Sequence, residues 1–318
     1  MRWKLLSRIE FVKQIRIKRY IKRHQKVANY WDPVIKKYFS GQIKKWDFAP
    51  KKPLQGKKII WQYWGQGVTD REALPEVVRI CFDSVDKYKG EYEVIRLSDE
   101  TVKEYLDLPD FTYEKVKNKS PFNRTFFSDL LRVSLLTTYG GVWLDATILL
   151  TGKLPDKYTQ MDYFMHERSD EEEHKDYWEH EFLRYFCWHK DFKIRLLNSA
   201  IFAKQGSVMT RTIQDLLLYY WEHENKIINY YFFQILYTQL VEGPLSDIRC
   251  PNVNDCIPHI IQTKIYSYYP YYTYKDATNL TSIHKMSYFP PKKMDKLYEA
   301  LAEINEETST TRKPKGRS

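Results

Sequence analysis

The order of segments predicts an α/β fold, a mixed and mostly parallel sheet flanked by helices, preceded by a basic helical extension. Short apolar runs that read as strands alternate with helical runs between residues 57 and 106, the spacing of a sheet built through helical crossovers. A longer helix ending at Tyr139 is stopped by Gly140 and Gly141 and followed at once by the apolar strand "VWLD". Charge separates the front of the chain from its body. Residues 1–58 hold 18 Lys/Arg against three Asp/Glu, or +15, and the chain of 318 residues totals +10, which leaves −5 for the rest.

Residues 3–28 read as a helix with Leu5, Ile9 and Val12 on one side, although basic residues occur nearly all round it. Two readings stay open for this leader: a surface anchor on anionic lipid, at about 1 kcal/mol per well-placed Lys or Arg, or a solvated basic helix packing through a few apolar side chains. The linker "DFAPKKPLQGKK" closes it, so the expected division is a leader at 1–56, a folded domain at 57–306 and a flexible polar tail at 307–318. "IIWQYWGQG" follows as the first strand, then "PEVVRICFDSVDKY" as a helix with proline in its first turn and "YEVIRLS" as a strand. "SDETVKEYL" reads as a further helix with Ser98 as N-cap. Beyond the central motif, "NSAIFAKQGS" reads as strand and turn, and residues 208–223 and 229–241 as aromatic-rich helices.

Composition excludes several classes. A hydrophobic fraction of 43% with 26 tyrosines and nine tryptophans is not that of a disordered chain. No run of about 18 apolar residues spans a bilayer, and the first residues lack the apolar stretch and cleavage site of a signal peptide; a cytoplasmic location is expected, peripheral on the inner face of a membrane. Cys81, Cys187, Cys250 and Cys256 have no zinc-type spacing and read as ordinary reduced thiols. The segment from Glu167 to Glu181 carries eight acids and, with His166, three histidines; its spacing fits no ligand set and it reads as a solvated loop. The run "IYSYYPYYTYKD" at 265–276 holds six tyrosines, suited either to stacking on sugars or headgroups or to packing against the helices.

Chemistry concentrates in "SDLLRVSLLTTYGGVWLDAT", residues 128–147. Phe126, Leu130, Val133 and Thr137 form the buried stripe of its helix, and Asp129 and Arg132, three apart, share another face. In an open parallel sheet ligands bind beyond the carboxyl ends of the strands, which is where Asp145 is delivered. A carboxylate there can take sugar hydroxyls or hold a cation against a diphosphate, and an arginine offers a planar donor fork. Singly, each has a bland reading: a surface ion pair for Asp129 and Arg132, a strand-end turn for Asp145.

Together these residues resemble the nucleotide-sugar site of GT-A glycosyltransferases, in particular glycosyltransferase family 32 and its bacterial branch of capsular polysaccharide synthesis proteins. The resemblance implies a GT-A (Rossmann-like) fold from about residue 57 to 290. It places the donor's ribose and sugar on Asp129 and Arg132, and a DxD-type motif on Asp145, Ala146 and Thr147. It puts a uracil-stacking aromatic after the first strand, assigned to Trp61, and the donor diphosphate against His284 and Lys285 of "TSIHKMSY". Arg132 and Asp145 are then the expected catalytic pair. Mn²⁺ or Mg²⁺ is the implied cofactor, with Asp145, Thr147 and His284 as candidate ligands. Thr147, standing where a second carboxylate is usual, weakens that ion's hold. The implied activity is transfer of a hexose from a UDP-linked donor, with retention, to an oligosaccharide acceptor linked to a polyprenyl diphosphate. The alternative is a non-catalytic protein that binds a nucleotide-sugar or nucleic acid; the acidic body and absence of a recognised module speak against nucleic acid.

Overall fold

The computed structural model describes residues 2–117 and 121–310. In chain order the elements are α1 (Arg2–Phe39), β1 (Ile59–Tyr63), α2 (Glu76–Tyr88), β2 (Glu93–Leu97), α3 (Asp110–Lys117), α4 (Arg124–Tyr139), β3 (Gly141–Leu144), β4 (Ile148–Leu150), α5 (Asp156–Thr159), β5 (Tyr163–Glu167) and α6 (Lys175–Phe182). They continue with β6 (Leu196–Ala203), α7 (Val208–His223), α8 (Phe232–Val241), α9 (Ile260–Tyr266), α10 (Tyr274–Leu280), β7 (Ile283–Lys285) and α11 (Pro291–Thr310). The main sheet has the order β2-β1-β3-β6-β5. β1 pairs in parallel with both β2 and β3, β6 is antiparallel to β3, and β5 is antiparallel to β6, so four of the five strands run the same way. That is the expected mixed, mostly parallel α/β architecture. A two-stranded antiparallel ladder, β4-β7, lies beside it.

The direction of β1, β2 and β3 sends their carboxyl ends to one edge, and reversed β6 brings its first residues there. Two glycines make the α4–β3 junction possible. Gly140 caps α4 at φ 73°, its N–H bonded to the carbonyl of Leu136 at 2.8 Å. Gly141 has φ 106°, and a Cβ there would lie 2.6 Å from the carbonyl oxygen of Ile59, because β3 begins tight against β1. Asn123 caps the other end of α4, its side chain accepting the N–H of Thr125 at 2.9 Å.

The leader is α1, longer than the sequence indicates, and one face of its second half is buried. Val27, Ala28 and Trp31 have no exposed surface, and the Trp31 indole donates to the carbonyl of Phe232 at 3.3 Å. Buried Asp215 on α7 takes the Tyr38 hydroxyl at 3.0 Å and the backbone N–H of Trp46 at 2.9 Å, tying helix and linker to the body. Packing therefore crosses the expected boundary at residue 57, through side chains such as Trp31 and Tyr38 whose burial the flanking lysines hide in the sequence. Of the expected stripe, Val12 faces solvent, while the side chains of Leu5 and Ile9 lie outside the described residues. The tail expected at 307–318 contributes its first four residues to α11; residues 311–318 lie outside the described ones.

One expected helix is absent: "SDETVKEYL" folds as a single 3₁₀ turn, Val102–Glu104. The Thr101 hydroxyl accepts the N–H of Ser98 at 2.9 Å, closing a tight turn where an N-cap was expected. The three histidines near the acidic segment diverge. His166 is buried, His174 stacks on Tyr271 with ring centroids 3.5 Å apart, and His180 is exposed. Tyr269, Tyr271 and Tyr272 of the tyrosine run pack around α6 through Tyr177 and His174. All four cysteines are buried and unpaired, and no described helix is long and apolar enough to cross a membrane.

Candidate active site

A cleft of about 470 Å³ opens at the strand-end edge, lined by Asp129 and Arg132 from α4, by Asp145, Ala146 and Thr147 after β3, and by Lys285 from β7. Residues separated by more than 150 positions in sequence meet here because β4 and β7 pair in a register that sets Lys285 opposite Ile148. α4 supplies two of them from one face, as their spacing predicts.

Arg132 is the centre of the network and is 3% exposed. Its Nη2 lies 3.2 Å from Asp129 Oδ1 and 3.4 Å from Asp145 Oδ1. Its Nη1 donates to the carbonyl of Asn198 at 2.6 Å, and its Nε to the carbonyl of Ser128 at 3.1 Å. A guanidinium held on every side has one orientation, so the arrangement is set before any ligand arrives. Asn198 Nδ2 donates to Asp129 Oδ1 at 2.9 Å, and Gln234 Nε2 in turn donates to Asn198 Oδ1 at 3.1 Å. The Trp143 indole donates to Asp145 Oδ1 at 2.8 Å.

The two carboxylates are shifted in opposite directions. Burial pushes Asp129 up to about 7, helped by the charge of Asp145 and opposed by Arg132 and Asn198. Burial also acts to raise Asp145, but Arg132, Lys285 and the Trp143 indole outweigh it and hold its carboxyl below the usual range. Lys285 is lowered, chiefly by burial, with Asp145 opposing. Below about pH 7, where Asp129 holds its proton, two cations face one anion on the cleft floor, an excess of positive charge suited to a phosphate ester or diphosphate.

Six of the eight expected site residues converge in the cleft, and two do not. Trp61 is fully buried; its indole donates to the carbonyl of Gly140 at 2.9 Å and its ring packs on Tyr105 and Tyr139. With no free face it cannot stack on a base. It lies inside β1, two residues short of the strand's end, whereas Tyr63 and Trp64, at and past that end, line the cleft. Applying the carboxyl-end rule to β1 as well as β3 would have selected Trp64. His284 also faces away. Successive strand residues point to opposite sides, so when Lys285 enters the cleft His284 enters the interior, where it is fully buried with Nε2 3.0 Å from the Thr151 hydroxyl. Burial lowers it to about 3, so it stays neutral.

The donor set does not fit a divalent ion held by Asp145, Thr147 and His284. His284 is on the wrong side, and the Thr147 hydroxyl accepts the Lys285 ammonium at 2.6 Å. That ammonium is also 3.7 Å from Asp145 Oδ2. The other cleft carboxylate, Asp129, is tied to Arg132 and Asn198. Among the described residues no group of three His, Cys, Asp or Glu side chains is placed to hold a metal.

Sequence reading missed Asn198, Gln234, Tyr230, His259 and Tyr288, which also line the cleft. A signal existed for Asn198, which with Ser199 is one of two polar residues inside a strand that is otherwise apolar. His259 Nδ1 lies 2.7 Å from the carbonyl of Asp255 and must donate to it, which leaves Nε2 as the acceptor; burial lowers the ring to about 4. Asp255 is held by Arg168 through two bonds of 2.7 and 2.9 Å, a pair with no exposed surface that fixes the segment carrying His259.

A family model described as capsular polysaccharide synthesis protein matches residues 12–301. Among solved structures, one titled PaToxG Glycosyltransferase is similar at 13% identity, covering 74% of this chain and 81% of that chain, with a TM-score of 0.33. No curated protein matches.

Proposed function

The chain belongs to the family of capsular polysaccharide synthesis proteins, and from that premise we propose that it is a glycosyltransferase. It takes a hexose from a nucleotide-sugar, UDP-linked, and transfers it with retention to a saccharide acceptor carried on a polyprenyl diphosphate. The observation that carries this reading is Arg132, wedged between Asp129 and Asp145 at 3.2 and 3.4 Å on the floor of an open cleft. Sugar transfer requires that negative charge on the departing diphosphate be stabilised by fixed donors as the anomeric C–O bond breaks. Arg132 and Lys285 supply two cations on rigid elements, and Trp64 an aromatic face for the base. Asp129 and Asp145 are positioned to accept ribose and sugar hydroxyls.

Both carboxylates among the cleft residues are engaged by the same guanidinium. Neither is free to act as a nucleophile, which supports front-face attack over double displacement. In that route the acceptor hydroxyl forms its bond to the anomeric carbon on the side the diphosphate leaves, and the hydroxyl proton passes to the departing phosphate oxygen. Lys285 stands beside the DxD-type motif, where a divalent ion would otherwise meet the diphosphate, and we assign that electrostatic role to it.

The exposed face of α1 supports an inner membrane surface as the place of work. At 100° per residue Phe11, Val12, Ile15, Lys18, Arg19 and Lys22 fall on one side of the helix, and all are exposed, Phe11 by 65%. Ile17, His24, Val27 and Trp31 fall on the other and are buried. An apolar tip followed by cations is the pattern of a helix lying on anionic lipid.

Titration of UDP and UDP-sugars by calorimetry, with release of free sugar as the activity readout, tests the assignment. UDP should bind to wild type, and Asp145→Asn should retain its fold while hydrolysis falls by at least a hundredfold. Lack of UDP binding by the folded wild-type protein would refute the donor class; full hydrolysis by Asp145→Asn would refute the site.

A further inference from the structure

A second groove, of about 540 Å³, runs between α1 and the turn ahead of α8, lined by Tyr20, Arg23, Lys26, Arg184, Tyr230 and Tyr231. Tyr230 and Tyr231 line the catalytic cleft as well, so one wall is common to the two. We propose that this groove binds the diphosphate of the lipid-linked acceptor, with Arg23, Lys26 and Arg184 as its cationic grip. The proposal rests on the glycosyltransferase reading and names where its acceptor is held.

Three observations converge. Among the described residues, no carboxylate lies within 4.0 Å of Arg23, Lys26 or Arg184, although most other surface arginines of the body are paired. Three unpartnered cations on one concave surface form a preset anion site, and a planar guanidinium matches phosphate oxygens with two parallel donors. Arg184 lies over Tyr230 and Tyr231, with Cζ 5.6 and 5.4 Å from their ring centroids, which limits where its fork can point. Tyr230 joins the two sites electrostatically: its hydroxyl, raised chiefly by burial, is influenced by Asp129, Asp145 and Arg132 on one side and by Arg184 on the other.

The third observation is linear order. A lipid-linked acceptor is a hydrocarbon tail, then a diphosphate, then sugar. Along the protein the same sequence of environments occurs: the exposed Phe11, Val12 and Ile15, then Arg23 and Lys26 about two to three turns further on, then the tyrosine wall, then the cleft. From Ile15 to Arg23 the helix rises about 12 Å at 1.5 Å per residue, a span that runs along the bilayer surface from the apolar tip to the cations beside the cleft.

The test uses the full chain, the variant Arg23→Gln/Arg184→Gln, and three probes: inorganic pyrophosphate, farnesyl diphosphate, and phosphatidylcholine vesicles with and without phosphatidylglycerol. Both substituted residues are exposed, so the variant should keep the wild-type Tm and UDP affinity. With the catalytic cleft saturated by UDP, wild type should still bind farnesyl diphosphate, and the variant should bind it at least tenfold more weakly. Diphosphate binding that UDP abolishes, or that the double variant leaves unchanged, overturns the groove as its site. Loss of binding to phosphatidylglycerol vesicles with unchanged farnesyl diphosphate affinity also overturns it, because the cations would then serve lipid headgroups. UDP binding is read separately, so failure of the donor reading is distinguishable from failure of the groove.

Discussion

Replacing Lys285 by methionine keeps an unbranched chain as far as Cε and removes the ammonium, which isolates the role assigned to its charge. The Nζ lies 2.6 Å from the Thr147 hydroxyl and 3.7 Å from Asp145 Oδ2, with the side chain 23% exposed. At an effective dielectric near 20, a unit charge at that range is worth about 4 kcal/mol before screening. A donor diphosphate entering beside Asp145 would meet it at similar distance. Loss of one preorganised donor to a developing oxyanion typically lowers kcat by about 10²–10³, or roughly 3–4 kcal/mol, so the two routes agree. The expected result is a kcat reduced by that factor, with UDP-sugar KM changed much less, measured as initial rates of sugar release. The companion measurement is metal removal. Wild type in excess EDTA should keep its rate, whereas Lys285→Asp, which sets a second carboxylate near Asp145, should be inactive in EDTA and regain activity with Mn²⁺. Loss of wild-type activity in EDTA and its return with Mn²⁺ would refute the reasoning, as would an unimpaired Lys285→Met.

Three further outcomes follow from the same geometry. Asp129 titrates near 7 in the fold against about 4 unfolded, so the native state holds the extra proton between those values and the contribution to stability is lost as pH rises from about 4 to 7. Calorimetric Tm of wild type minus that of Asp129→Asn should fall across that window and level off above it, and a constant difference would contradict the raised carboxyl. Trp64→Ala should weaken UDP binding by about 1–3 kcal/mol, the worth of one base stacked on an aromatic ring, whereas Trp61→Phe should lower Tm and leave UDP affinity unchanged. Substituting Lys18 and Arg19 by glutamine should weaken sedimentation with anionic vesicles about 30-fold, at about 1 kcal/mol per charge, while deletion of residues 1–50 should unfold the protein because it removes Trp31 and Tyr38.

What the sequence disclosed, and what it hid, divides along the range of the interaction involved. The α4–β3 unit was legible because each part has a local cause: a stripe at helical spacing, glycines that alone tolerate φ of 73° and 106°, and an apolar strand ending in Asp145. The 3₁₀ turn at Val102–Glu104 was misread because Ser98 and Thr101 form a closed turn as readily as a helix start, and only the packing around Val102 and Leu106 decides. The errors at Trp61 and His284 are of one kind. In each case the residue type was right for the chemistry, and its place in the strand put the side chain in the interior. Position along β1 separates Trp61 from Trp64, and parity along β7 separates His284 from Lys285.

The leader shows why charge alone misplaced a boundary. Its basic residues made residues 1–56 look like an appendage, yet α1 is two-sided. The half turned inward carries Val27, Ala28, Trp31, Ile35 and Tyr38 into the main core, and only the outward half is solvated. The apolar residues lie on the outward face at Phe11, Val12 and Ile15 and on the inward face from Ile17 on, which weakens the amphipathic signal of the helix as a whole, and the acid that pins it, Asp215, lies 177 positions from its partner Tyr38. Burying that carboxylate raises its pKa despite bonds from Trp46 and Tyr38, a cost retained because it fixes α1 against the body. A helix so fixed cannot swing as a free tether. Its outward face therefore sets the orientation of the whole cleft to any surface it rests on, and a rigid α1 would hold the groove at Arg23 and Lys26 at one height above that surface.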